Sequence, residues 1–196
     1  MAISLQKGQK VSLDKKMSLA LVGLGWDPNE YDSGYDFDLD ASAFLLNNRG
    51  KVNSDDDFVF YGNQSHYSGA VKSSGDDTSG GNSEEGDDEQ LIIDFSKIPA
   101  NVDRIAITVT IYDAQARRQN FGQVSNAYVR ICKINNEYDD DGEEVIRYDL
   151  DEDFSTETAI VVAEIYRHGS DWKFNAVGAG YSGGLEALCH KFGVNV

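Results

Sequence analysis

Asp36, Asp38 and Asp40 alternate with Phe37, Leu39 and Ala41 in the run YDFDLDASAFLL. If that run is a strand, its period of two sets three carboxylates on one face at about 6.5–7 Å intervals and sends the opposite face into a core. Like charges stacked this closely repel, by about 1 kcal/mol per close pair even in water. A hard divalent cation relieves that repulsion. Calcium is the best match, because it accepts six to eight oxygens from carboxylates and loop carbonyls, whereas magnesium demands a tight octahedron and keeps its waters. An EF-hand is excluded: Ala41 stands where the turn glycine belongs, and Asn47 where the closing glutamate belongs. Further ligands must come from elsewhere in the chain. The donors available are the acid-rich stretch 73–89, with Asp76, Asp77, Asp87, Asp88 and Glu89, and Asp27 in the turn after Trp26.

That stretch, SSGDDTSGGNSEEGDDE, has no sizeable apolar side chain and reads as a surface loop that a bound cation could order. The acidic segments 53–57 and 137–142 read as solvated loop tips, the usual fate of charge runs. Arg117 and Arg118 stand out in an acidic chain as a candidate partner-binding tip, or as ties between a loop and nearby carboxylates.

The elements that would position these groups follow from periodicity. Ile105, Ile107, Val109 and Ile111 alternate with polar residues. Similar runs at 19–24, 37–46, 58–61, 91–95, 127–134, 145–150, 158–166 and 172–177 predict further strands, separated by Gly, Asn, Asp and Ser clusters. Leu185, Leu188, Cys189 and Phe192 share one face of a short C-terminal helix that Gly193 would stop. Without long crossover segments, the expected fold is an all-β antiparallel sandwich of two sheets, as a single domain over 1–196.

Composition narrows the function. Asp plus Glu outnumber Lys plus Arg by 34 to 17, for a formal charge of −17, which disfavours nucleic acid as a direct partner. MAISLQKGQK lacks an apolar signal stretch, so the expected location is the cytoplasm. Cys132 and Cys189 are read as reduced, half-buried core residues, and Trp26 and Trp172 as packing residues. His66, His168 and His190 are scattered, without a nucleophile block, so neither a hydrolytic triad nor a zinc centre is expected. A glycosidase acid would need an apolar pocket rather than a wet acidic loop. The reading is non-catalytic, with no small-molecule substrate inferred.

Seven blocks then carry a resemblance: GLGWD (23–27), DFDLDASAFLL (36–46), DDFVFYGN (56–63), the GDD and GDDE ends of the acidic loop (75–89), DAQARRQNFGQVSNAYVR (113–130), RYDLDEDFSTETA (147–159) and EIYRHGSDWKFNAVGAGY (164–181). In order and along nearly the whole chain, they resemble the TerD family of tellurite-resistance and stress proteins. The resemblance implies a two-sheet sandwich holding two calcium ions, in a cytoplasmic, non-enzymatic protein linked to tolerance of tellurite, phage and pore-forming colicins. It places the ligands at Asp36, Asp38, Asp40, Asp76, Asp87, Asp88 and Glu89, with Asp27 in a third matching block. The chain departs from the family in reading Gly75–Asp76–Asp77 where GDN is usual. The implied partners are other tellurite-resistance and stress proteins. The alternative is a calcium-bridged association with anionic lipid at the inner membrane face.

Overall fold

A computed structural model describes residues 2–29, 35–73, 86–139, 142–150 and 154–196. Within them the strands are β1 (Ile3–Ser4), β2 (Lys10–Ser12), β3 (Leu19–Gly25), β4 (Leu39–Leu46), β5 (Phe58–Val59), β6 (Val71–Ser73), β7 (Glu89–Asp94), β8 (Arg104–Ile111), β9 (Tyr128–Ile134), β10 (Glu143–Asp149), β11 (Ala159–His168) and β12 (Asp171–Tyr181). They form two six-stranded sheets. Sheet A runs β1-β10-β9-β3-β7-β6, and sheet B runs β2-β12-β11-β8-β4-β5. Pairing is antiparallel except that β1 lies parallel to β10. The predicted all-β antiparallel sandwich is therefore the observed fold.

Alternation along the strands builds the core. Ala20, Val22 and Leu24 of β3, Leu39, Ala41, Ala43 and Leu45 of β4, and Ile105, Ile107, Val109 and Ile111 of β8 all pack between the sheets. The other face of sheet B is also buried, because α2 (Gly184–Phe192) lies over it. Leu188, Cys189 and Phe192 cover Phe44, Leu46, Ala106 and Val161, with the Phe44 and Phe192 rings 4.6 Å apart. Each large side chain buried there is worth about 1.5–3 kcal/mol. Sheet B is thus covered on both sides around Phe44 and Leu46, and every residue of β4 is buried. Gly193 ends α2 in the left-handed region at φ 86°, as its position predicts, and donates to Cys189 O.

Three expectations change. Neither cysteine forms a disulfide, as expected, but both are fully rather than half buried, and burial pushes the Cys189 thiol above its ordinary pKa. The 37–46 strand begins only at Leu39, so the acidic triplet does not form a regular strand face. In the segment 53–57, residues 53–56 are exposed as a solvated tip would be, but Asp57 is 2% exposed.

Candidate functional site

At one end of the sandwich β3 leaves sheet A, β7 enters it, and β4 enters sheet B. Backbone and side chain together stitch these three segments. Trp26 N donates to Asp88 Oδ2 at 2.9 Å, Asp88 N to Leu24 O at 2.8 Å, and the Trp26 indole N–H to Phe37 O at 3.1 Å. The Glu89 carboxylate, 6% exposed between the sheets, accepts the Ala41 N–H. Ala41 is in register with Val109 of β8, but β5 pairs only with Ala43 and Phe44, so Glu89 satisfies a donor at a stretch of β4 that β5 does not reach.

The carboxylates predicted to be ligands divide among several surroundings. Asp36 precedes β4 and is exposed. Asp38 is 6% exposed, and its Oδ2 meets Arg117 Nη1 at 3.2 Å, while its carbonyl accepts Tyr112 N at 2.8 Å. Asp40 faces outward from sheet B at 7% exposure. Asp27 donates its N–H to Ser125 O at 3.0 Å and accepts from the Asn126 amide. Asp76 and Asp77 lie outside the described residues. Among the described residues no group of three or more His, Cys, Asp or Glu side chains stands close enough to hold a metal ion.

Asp87 takes a different direction. It lies over Gly23 on the outer face of sheet A, where a Cβ at Gly23 would overlap its carboxylate. Both oxygens are engaged by Arg130, at 2.7 and 3.1 Å, and Tyr128 Oη and Gln90 Nε2 donate to them at 3.2 and 3.1 Å. Arg130 is held further into its charged state by that hydrogen-bonded pair. The Tyr128 phenol is pushed up to about 12, first by burial and then by the Asp87 charge. A folded-state pKa raised above the ordinary 10 gives stability that is complete below the unfolded value and lost as pH climbs through the folded one. Stability should accordingly fall between about pH 10 and 12. Urea titrations of wild type and Tyr128→Phe across that range check this, the variant losing less.

Arg117 acts as a tie. Its guanidinium reaches Asp38 and packs over Tyr35 and Tyr112, 5.7 and 5.1 Å from the ring centroids. Arg118 caps α1 (Ala114–Arg117) in the left-handed region at φ 55° and is exposed. Beside them, Gln119 is 5% exposed and donates from Nε2 to Tyr35 O and Asp36 O at 3.2 and 3.1 Å. Its Oε1 is a buried acceptor with no hydrogen-bond partner among the described residues. Periodicity gave no signal for Gln119, since it sits in an irregular loop.

The sequence reading also missed a buried polar chain. Asp57 Oδ1 meets His66 Nε2 at 3.1 Å, and His66 Nδ1 meets Ser68 Oγ at 2.8 Å. The order resembles a hydrolytic relay. Ser68 N also donates to Nδ1 and Ala70 N to Ser68 Oγ, however, so the hydroxyl is built into a local turn. The chain of bonds reads as a loop clamp.

The comparisons with known proteins agree with this architecture. The family model of the TerD domain matches residues 1–192. The chain belongs to the TerD family. General stress protein 16U of Bacillus subtilis is 53% identical over 199 residues, covering all of both chains. Tellurium resistance protein TerD of Serratia marcescens is 52% identical over 198 residues, covering 100% of this chain and 99% of that one. The crystal structure of a TerD homologue from Streptomyces coelicolor A3(2) shares the fold with a TM-score of 0.69 at 21% identity, covering 88% of this chain and 95% of that one. No described helix in this TerD chain is long and apolar enough to cross a membrane.

Proposed function

We propose that this TerD-family chain is a non-catalytic calcium-binding protein of the tellurite and stress response, in which calcium at the β3–β4–β7 end creates a docking surface for partner proteins. The stress and tellurite role rests on relatives that carry those names at over 50% identity across the full chain. The observation that carries the calcium reading is Gln119 Oε1, a buried oxygen with nothing among the described residues donating to it, held beside the segment that bears Asp36 and Asp38. Such an oxygen is costly to bury unless water or a cation satisfies it. Asp36, Asp38, Asp27 and Gln119 Oε1 are hard donors of the kind calcium accepts, and Asp40, Asp76, Asp77, Asp88 and Glu89 are the further candidates. Asp87, with both oxygens on Arg130, is the weakest of the original set.

Bound calcium would favour the folded state, adding about 2.7 kcal/mol at a hundredfold excess over the dissociation constant. Isothermal titration and thermal melts with calcium against chelator test this. The expected result is a measurable heat and a raised Tm, both largely lost in Asp38→Asn and reduced in Gln119→Leu. Asp139→Asn, in the β9–β10 hairpin, should leave calcium binding unchanged. Equal losses in Asp38→Asn and Asp139→Asn, with Gln119→Leu unchanged, would show bulk charge rather than a site.

A further inference from the structure

The outward face of β4 opens on a cavity that shares only Asp40 with the calcium reading. Its volume is about 570 Å³, a size that suits an organic ligand and far exceeds a bare ion. Asp40 forms part of its floor, Tyr61 and Tyr112 its aromatic wall, Leu185 an apolar side, and Asp113 and Glu186 its rim. None of the described residues lining it is Lys, Arg or His. The two tyrosine rings stand 6.3 Å apart, nearly perpendicular, and both keep almost half their surface open to solvent. Large, solvated aromatic rings beside a carboxylate that is itself 7% exposed make an unusual pairing on a protein surface.

The chemistry of this lining selects one ligand class. Three carboxylates and a chain charge of −17 repel anions. Tyrosine faces do not ligate hard metal ions, but they attract guanidinium and ammonium groups through the ring quadrupole, by an interaction that strengthens as water is excluded. The chain already demonstrates the preference, since its own Arg117 guanidinium lies over Tyr112. Leu185 offers contact for an alkyl stem.

We propose that the cleft between Tyr61, Tyr112 and the start of α2 binds an alkylguanidinium or alkylammonium cation, its head on the tyrosine faces beside Asp40. A basic side chain of a partner and a free polyamine present this same chemistry, and the test separates them. Because Asp40 is also a calcium candidate, the titrations are run on the full chain in chelator, so that failure of the calcium reading leaves this result intact.

The probes are Gly-Arg-Gly, its neutral citrulline counterpart, and spermidine, followed by calorimetry or by shifts in backbone amide resonances. Saturable binding of a cation is expected, with the citrulline peptide silent. Tyr61→Leu and Asp40→Asn should each weaken binding about fivefold or more, whereas Tyr61→Phe, which keeps the ring face, should retain it. Glu137→Gln removes an equal charge from the β9–β10 hairpin and should change nothing. Tighter binding of the arginine peptide assigns the site to a partner's side chain, and tighter binding of spermidine to a free polyamine. The idea is overturned if neither cation binds, if citrulline binds as well as arginine, or if Glu137→Gln weakens binding as much as Asp40→Asn. Should Asp40→Asn fail to fold, the contrast between Tyr61→Leu and Tyr61→Phe decides.

Discussion

Replacing Asp87 with alanine should lower the folding stability by about 3–5 kcal/mol, the largest loss expected of any carboxylate among the described residues. The Asp87 side chain has no solvent exposure and that of Arg130 has 15%, so the substitution leaves a guanidinium in a largely dry site on sheet A. Glu144, 3.6 Å from Arg130 Nη1 and itself part exposed, compensates only in part. Tyr128 and Gln90 each lose one acceptor in the same step, Tyr128 keeping Gly86 O at 3.2 Å. A cycle with Arg130→Ala separates the pair from its surroundings. The double variant should be less destabilised than the sum of the singles, because a buried ion pair removed whole leaves no lone charge. Urea midpoints with unchanged m-values are the measurement. A loss below about 1 kcal/mol for Asp87→Ala would mean that the carboxylate faces water instead.

This pair shows where sequence reading stops. The sandwich itself follows from local pattern: Ile105, Ile107, Val109 and Ile111 alternate because one face of β8 is core, and Leu188, Cys189 and Phe192 share a helical face because they cover sheet B. β1, β2 and β6 escape that reading, since strands of two or three residues are too short to show a period. Assigning Asp87 to a metal site follows the grouping of acids along the chain. Its partner Arg130 is 43 positions away and becomes its neighbour only when β7 and β9 flank β3. Gly23 carried the missing signal. A glycine inside an apolar strand marks a close approach, and here the approaching group is the Asp87 carboxylate. The same reasoning applies to the acidic triplet, whose period of two is real but whose strand starts at Leu39, leaving Asp36 and Asp38 to be placed by Gln119 and Arg117.

Asp57→Ala should be the second costly substitution, at about 3 kcal/mol, although Asp57 falls in a run of three aspartates that composition assigns to solvent. Its Oδ2 accepts Asn53 N at 2.8 Å and Ser54 N at 3.3 Å, closing the turn before β5, and its Oδ1 holds His66, whose side chain has no exposure. Losing the carboxylate strands two backbone donors and a buried imidazole together. Asp57→Asn keeps an acceptor for the turn and should cost clearly less than Asp57→Ala. His66→Ala should cost nearly as much as Asp57→Ala, because it opens a cavity and leaves Asp57 without its buried partner. The clamp spans the connection between β5 and β6 that carries Tyr61, so Asp57→Ala should also weaken cation binding in the cleft without removing any group that lines it. Urea unfolding of the three variants, with spermidine titrations of those that stay folded, checks both consequences. Equal stability of Asp57→Ala and wild type would show that Asp57 and His66 are solvated separately.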